Sequence, residues 1–175
     1  MRIPRPVALL ACLLVASPVP AQHTDEGCGT FTWDLSREMA AMRAPPKEAA
    51  ASGEAPKTAK RLTLGRHYDA KLKPQSEVLF PVQPARARKV ENAMAGLLYF
   101  RSGKAGRYRI TLNSRHWIDV IDGDRSIDSS AHEGRSGCPL MHKVVEFELP
   151  ADRDLVLQLS GADAAKVGLV ITGPA

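Results

Sequence analysis

The residues most able to do chemistry lie together between Ser129 and His142, in the run Ser129-Ser130-Ala131-His132-Glu133-Gly134-Arg135-Ser136-Gly137-Cys138-Pro139-Leu140-Met141-His142. Two imidazoles and a carboxylate are the donor set of a mononuclear non-heme iron site. His132, Glu133 and His142 are therefore candidate metal ligands, and a metal-dependent oxygenase or hydrolase is the alternative functional reading. The spacing works against it. Adjacent residues of an extended chain point to opposite faces, so His132 and Glu133 share a face only if the loop curls. The His and Cys positions also fit no zinc-ligand pattern. The preferred reading makes the run a polar loop held at Cys138, with His132, Glu133, Arg135 and His142 as binding groups. No catalytic residue and no cofactor is assigned.

Other constellations are weaker. Asp119, Asp122, Asp124 and Asp128 offer oxygen ligands, but their spacing is not that of a helix-flanked calcium loop. Asp122-Gly123 reads better as a two-residue hairpin turn. Ser136 sits in Gly134-Arg135-Ser136-Gly137, yet position 138 is Cys where a nucleophile elbow needs Gly, and no helix follows. Trp117 could stack on a sugar ring, but inside an apolar run it reads first as packing.

The elements that must position these groups are mostly strands. Apolar residues alternate with polar ones from residue 61 onward. Candidate strands span 61–64, 67–72, 77–82, 95–100, 106–113, 116–121, 142–149, 154–160 and 167–172. A hairpin closes 116–121 onto 125–128. Tyr108, Ile110 and Leu112 share one face, as do Val145, Phe147 and Leu149, and Leu155, Leu157 and Leu159. The connections are too short for parallel crossovers. The expected fold is all-β, an antiparallel sandwich of jelly-roll type. Ahead of it, residues 33–42 have helical spacing, with Leu35, Met39 and Met42 as an apolar stripe, and Pro45-Pro46 stops the helix. Residues 47–60 are Ala-, Pro-, Glu- and Lys-rich and read as a flexible linker.

The domain organisation that follows is a signal peptide at 1–21, an N-terminal segment with a helix at 22–46, the linker at 47–60, and the sandwich at 61–175. Arg2 and Arg5 form the basic start of the signal, Val7–Ala16 its apolar core, and Val19-Pro20-Ala21 a cleavage site. Cleavage after Ala21 gives a periplasmic or secreted protein. No apolar run reaches the roughly 18–20 residues of a membrane span. Of the three cysteines, cleavage removes Cys12 and leaves Cys28 and Cys138. In an exported chain an even pair reads as a disulfide, with free thiols or metal ligation as the rivals.

Charge is uneven. Residues 37–115 carry 17 Lys/Arg against 6 Asp/Glu, and residues 116–175 carry 5 against 10. A basic half can signal an anionic partner. Here the cations are dispersed and no aromatic-interleaved basic motif accompanies them, so no nucleic-acid partner is expected. The two halves are expected to pair with each other or to face solvent.

Several blocks carry a resemblance: Trp33-Asp34-Leu35-Ser36-Arg37-Glu38-Met39-Ala40, Ala95-Gly96-Leu97-Leu98-Tyr99-Phe100, Gly106-Arg107-Tyr108-Arg109-Ile110, Trp117-Ile118-Asp119-Val120, and Cys138 ahead of Lys143-Val144-Val145-Glu146-Phe147. Together they resemble small exported proteobacterial proteins of unknown function. The Gly-x-Tyr-x-Ile strand followed by Trp-Ile-Asp-Val is similar to the pre-peptidase C-terminal type of β-sandwich. That resemblance implies an accessory module rather than a catalyst. The expected function is a non-catalytic binding module of the cell envelope, with an envelope protein or glycan as partner.

Overall fold

The computed structural model describes residues 27–54, 61–86 and 90–174. The expected signal peptide and residues 55–60 of the expected linker lie outside the described residues. In chain order the elements are α1 (Ser36–Arg43), β1 (Lys47–Ala50), β2 (Arg61–Leu62), β3 (Tyr68–Lys71), β4 (Lys73–Pro74), β5 (Met94–Arg101), β6 (Gly106–Leu112), β7 (Trp117–Asp122), β8 (Arg125–Ile127), β9 (Ser129–Gly134), β10 (Lys143–Leu149), β11 (Asp154–Ala162) and β12 (Lys166–Thr172).

The strands form two sheets. One runs β1-β3-β12-β6-β10-β9, the other β2-β5-β11-β7-β8, with β4 paired to β5. Their central parts, β3-β12-β6-β10 and β5-β11-β7-β8, interleave the chain as a jelly roll does, with successive strands of these eight alternating between sheets except for the β7-β8 hairpin. Among the described residues the fold is the all-β sandwich with one N-terminal helix that the strand alternation and the helical spacing of 33–42 implied. The faces read from sequence meet in the middle: Tyr108, Ile110, Leu112, Val145, Phe147, Leu149, Leu155, Leu157 and Leu159 all belong to the central core. Each fully buried Leu, Ile or Phe contributes about 1.5–3 kcal/mol by leaving water.

Four expectations need correction. Two strand pairs are parallel, β1 with β3 and β2 with β5, both at sheet margins. Residues 51–67 and 63–93 respectively intervene, which is long enough for the chain to return to the same end. Second, the start of the expected linker is a strand. Lys47–Ala50 pairs with β3, and Ser52 bridges to Leu97. Third, no strand forms over 77–82. A 3-10 turn at Gln75–Glu77 leads into an irregular segment, in which Pro81 lacks the N–H a ladder needs. This segment lays Val78 and Phe80 over Ala95 and Leu97 on the outer face of the second sheet. Fourth, Ser129–Gly134, expected to be loop, is an edge strand paired with β10.

The helix starts three residues later than its spacing suggested. The Asp34 carboxylate accepts the Ser36 N–H at 3.0 Å, and that bond holds its carboxyl below the usual carboxylate range. Leu35 and Met42 pack on Val144, Val170 and Met141, so α1 lies on the outer face of the first sheet. Cys28 and Cys138 join the same cluster and are linked by a disulfide with Cα atoms 4.4 Å apart. The rival readings of these two cysteines fall away.

Many ion pairs cross between the basic and acidic parts of the chain. Arg61 lies 2.8 Å and Arg101 3.3 Å from Asp154, Arg107 lies 3.6 Å from Glu148, and Arg109 lies 2.8 Å from Glu146. Part of the uneven charge of the sequence is thus paired internally, through Arg61, Arg101, Arg107 and Arg109.

Candidate functional site

The register of β9 against β10 decides what the reactive run can do. His132 lies opposite Val145 and Glu133 opposite Val144. Val145 belongs to the central core, and Val144 to the cluster under α1. His132 therefore faces the space between the sheets, and Glu133 faces the N-terminal segment. There the Glu133 carboxylate accepts the Thr32 N–H at 3.0 Å and the Thr32 hydroxyl. Arg135 lies 4.0 Å from the same carboxylate, donates to the Thr30 carbonyl at 3.0 Å and sits over the Phe31 ring at 5.5 Å. Glu133 and Arg135 thus fasten the segment that follows Cys28.

The two imidazoles go to different places. His132 lines a cleft of about 330 Å³ with Trp117, Ile118, Ser129, Lys143 and Val145, and with Arg86 at its rim. His142 lines a shallower depression of about 400 Å³ with Arg115, Arg135, Ser136 and Lys143. His132, Glu133 and His142 are not brought together, and among the described residues no three His, Cys, Asp or Glu side chains converge as a metal site. The aspartates are also engaged separately. Asp119 is buried and accepts from the Trp117 indole at 2.9 Å and the Gln158 amide at 3.3 Å. Asp122 pairs with Arg153 at 2.8 Å. The hairpin between β7 and β8 that the sequence indicated is present, but its turn is Gly123-Asp124, between paired Asp122 and Arg125, with Gly123 at φ 65°.

Lys143 joins the two depressions, lining both. Its ammonium donates to the His116 carbonyl at 2.9 Å and sits 5.5 Å from the centre of the Trp117 ring. The Arg86 guanidinium sits 5.4 Å from the same ring. Each contact is a cation–π arrangement. Trp117 is half-buried, so it is neither pure core packing nor an open stacking platform.

Positive charge at this end is dense enough to perturb its neighbours. Partial burial, then the charges of Arg115 and Lys143, hold the His142 imidazole below its ordinary value. His116 is fully buried, with Nδ1 2.8 Å from the Ser114 hydroxyl. Burial first, and then Lys143, push it down to about 4, against a smaller opposing pull from Asp163 and the Met94 backbone. Asp119 is pushed up by burial, in spite of its hydrogen bonds to Trp117, Gln158 and the Ala85 backbone.

Sequence reasoning placed His132, Arg135 and His142 at this end and missed Arg86, Arg115 and Lys143. Lys143 had a usable signal: it stands two residues before Val145, on the inward face of β10, where an open end of the sandwich puts a side chain beside His132. Arg86 and Arg115 carried none, since both are exposed residues of connecting segments. A larger depression of about 800 Å³, lined by residues such as Pro74, Phe80 and Met94, carries no ionisable side chain.

Fold and site together define a jelly-roll β-sandwich with a cationic cleft at one end. No family model, no curated protein and no solved structure matches the chain. Among the described residues no helix is long and apolar enough to cross a membrane.

Proposed function

We propose that the protein is an exported, non-catalytic β-sandwich module that binds a component of the cell envelope through the end bearing Trp117, His132, His142 and Lys143. The observation that carries this reading is the pair of adjoining depressions that share Lys143. They are formed on paired strands next to a disulfide, and a rigid scaffold presenting polar and aromatic groups at one end suits binding. The basic, apolar and small-residue pattern of residues 1–21 and the disulfide support export, to the periplasm or beyond it. The resemblance to exported accessory sandwiches points the same way. Reactive groups at this end are dispersed over separate depressions, which favours binding over a metal-dependent reaction of His132, Glu133 and His142.

The test is retention of envelope material. Protein immobilised through its C terminus is expected to retain one glycan or protein component from an envelope extract, and Trp117→Ala to lose it. Leu79→Ser, an exposed position on the other depression, is expected to retain it. Equal retention by wild type and Trp117→Ala would overturn the assignment of this end as the binding site.

A further inference from the structure

The cationic groups at this end form a connected track. Arg86 and Lys143 both lie against the Trp117 ring. Lys143 and Arg115 both act electrostatically on His142. The Arg135 N–H donates to the His142 carbonyl at 2.8 Å, which fixes Arg135 to the same ladder. Arg86, Lys143 and Arg115 therefore follow one another from the Trp117 cleft to the His142 depression, which Arg135 also lines while its guanidinium is held by Thr30 and Gly134. The nearby acids are Asp119, whose carboxylate accepts the Trp117 indole and the Gln158 amide, Glu133, whose carboxylate holds Thr32, and Asp163, which is felt at His116. Beside this track the Trp117 cleft has an apolar wall of Ile118 and Val145 and a polar rim of Ser129 and His132. Such a lining suits a ring with an apolar face and a hydroxylated edge.

Resting on the binding reading above, we propose that this end recognises an acidic saccharide: a sugar ring seated beside Trp117, with its carboxylate or phosphate groups along Arg86, Lys143, Arg115 and Arg135. Charge spread along a track fits a ligand with several anionic groups better than a single small ion. A membrane surface fits less well, because the exposed large apolar side chain among the described residues, Leu79, is at the other depression. Arginine presents a planar fork suited to carboxylate and phosphate, and lysine a point charge.

The probes are a short oligogalacturonate, a neutral malto-oligosaccharide of equal length, and inorganic phosphate, each titrated into the full exported chain. The acidic oligomer is expected to bind, the neutral one not, and the affinity to fall as salt rises from about 0.05 to 0.3 M, as screening requires. Arg115→Glu is expected to weaken binding about tenfold, roughly the effect of one lost charge-assisted contact. Arg115 is exposed, so the variant should keep the wild-type melting temperature. Lys143→Met, which keeps the alkyl stem, should weaken it in the same direction. Equal binding of the neutral oligomer, insensitive to salt, would overturn the charge assignment while leaving the binding reading intact. Displacement of the oligomer by phosphate at matched concentration would overturn the saccharide assignment. If neither oligomer binds while Trp117→Ala still loses envelope material, this inference fails and the binding reading survives. If that retention is also unaffected, both fail.

Discussion

The Glu38 carboxylate, 2% exposed on the buried face of α1, lies 3.5 Å from the Arg109 guanidinium on β6 and accepts the Thr172 hydroxyl at 2.5 Å. Arg109 also donates to Glu146 at 2.8 Å and to the Asp34 carbonyl at 2.8 Å, and it lies 5.3 Å from the Trp33 ring. One guanidinium thus joins the helix, the segment before it and the sheet beneath. Removing one partner of a buried pair leaves a charge without compensation, at a cost of about 3–5 kcal/mol. Arg109→Leu strands Glu38 and leaves Glu146 with Arg107 alone at 3.7 Å, and is expected to lose that much in chemical denaturation. Glu38→Gln keeps an acceptor for Thr172 and should lose less. A loss under about 1 kcal/mol for Arg109→Leu would show that the pair does not hold the helix.

The disulfide depends on a close backbone approach. Gly27 has φ 86°, and a Cβ there would lie 2.3 Å from the Gly137 carbonyl oxygen. A side chain at 27 is therefore strained in backbone and blocked by neighbouring backbone. Gly27→Ala is expected to push the chain away from Gly137 and slow or prevent pairing of Cys28 with Cys138, read as free thiol in the purified protein. Cys28→Ser with Cys138→Ser should cost about 2–5 kcal/mol, the usual range for a bridge closing a long loop. Full oxidation of Gly27→Ala at the wild-type rate would contradict the argument.

What was legible in the sequence follows the burial of each element. β6, β10 and β11 alternate between a core face and a polar face, and their inward residues could be named directly. β9 could not, because it is an edge strand with exposed Ser129, Ser130, His132 and Gly134 and a single neighbour, so no apolar period marks it. β1 hides for the same reason in a Lys-Glu-Ala-Ala run. The 77–82 segment misled in the opposite sense: Val78 and Phe80 alternate as strand residues do, but they cover a sheet from outside. The helix was legible but the burial of Glu38 on it was not, since a charge on a buried face is invisible until Arg109 and Thr172 arrive from more than 70 residues away. The candidate site was half legible. His132 and His142 stand out as residue types, whereas Arg86 and Arg115 reach it only through the tertiary fold.

Acid should weaken the fold through His116. Its imidazole titrates near 6.5 when unfolded and about 4 when folded. The unfolded chain therefore takes up the proton first as pH falls. The stability tied to the neutral ring is complete above about pH 6.5, declines towards pH 4 and is gone below it, an effect of about 3 kcal/mol. His142, lowered in the same direction, adds to this slope. Asp119, raised by burial, works oppositely: protonation favours the folded state, and its contribution is lost as pH rises. Unfolding free energies measured from pH 7 to pH 4 should fall less in His116→Gln than in wild type. Parallel pH curves for the two proteins would count against His116 as the acid-sensitive group.

Adjacent residues His132 and Glu133 should behave as opposites. Strand alternation gives His132 to the Trp117 cleft, where it is exposed, and gives Glu133 to the N-terminal segment, where its carboxylate takes two hydrogen bonds from Thr32. A buried hydrogen bond to a charged group is worth about 1.5–3 kcal/mol, and these two, made to exposed Thr32, are together given the worth of one such bond. Glu133→Ala is accordingly expected to lower stability by about 1.5–3 kcal/mol and to raise amide exchange over Gly27–Leu35. His132→Ala is expected to leave both unchanged within about 0.5 kcal/mol, as for a surface substitution, while weakening retention at the cleft. A shared metal site would make the two substitutions alike, each removing a ligand of the same centre. Equal phenotypes for His132→Ala and Glu133→Ala would therefore restore the metal reading, and divergent ones place the two side chains on opposite sides of one strand with separate work to do.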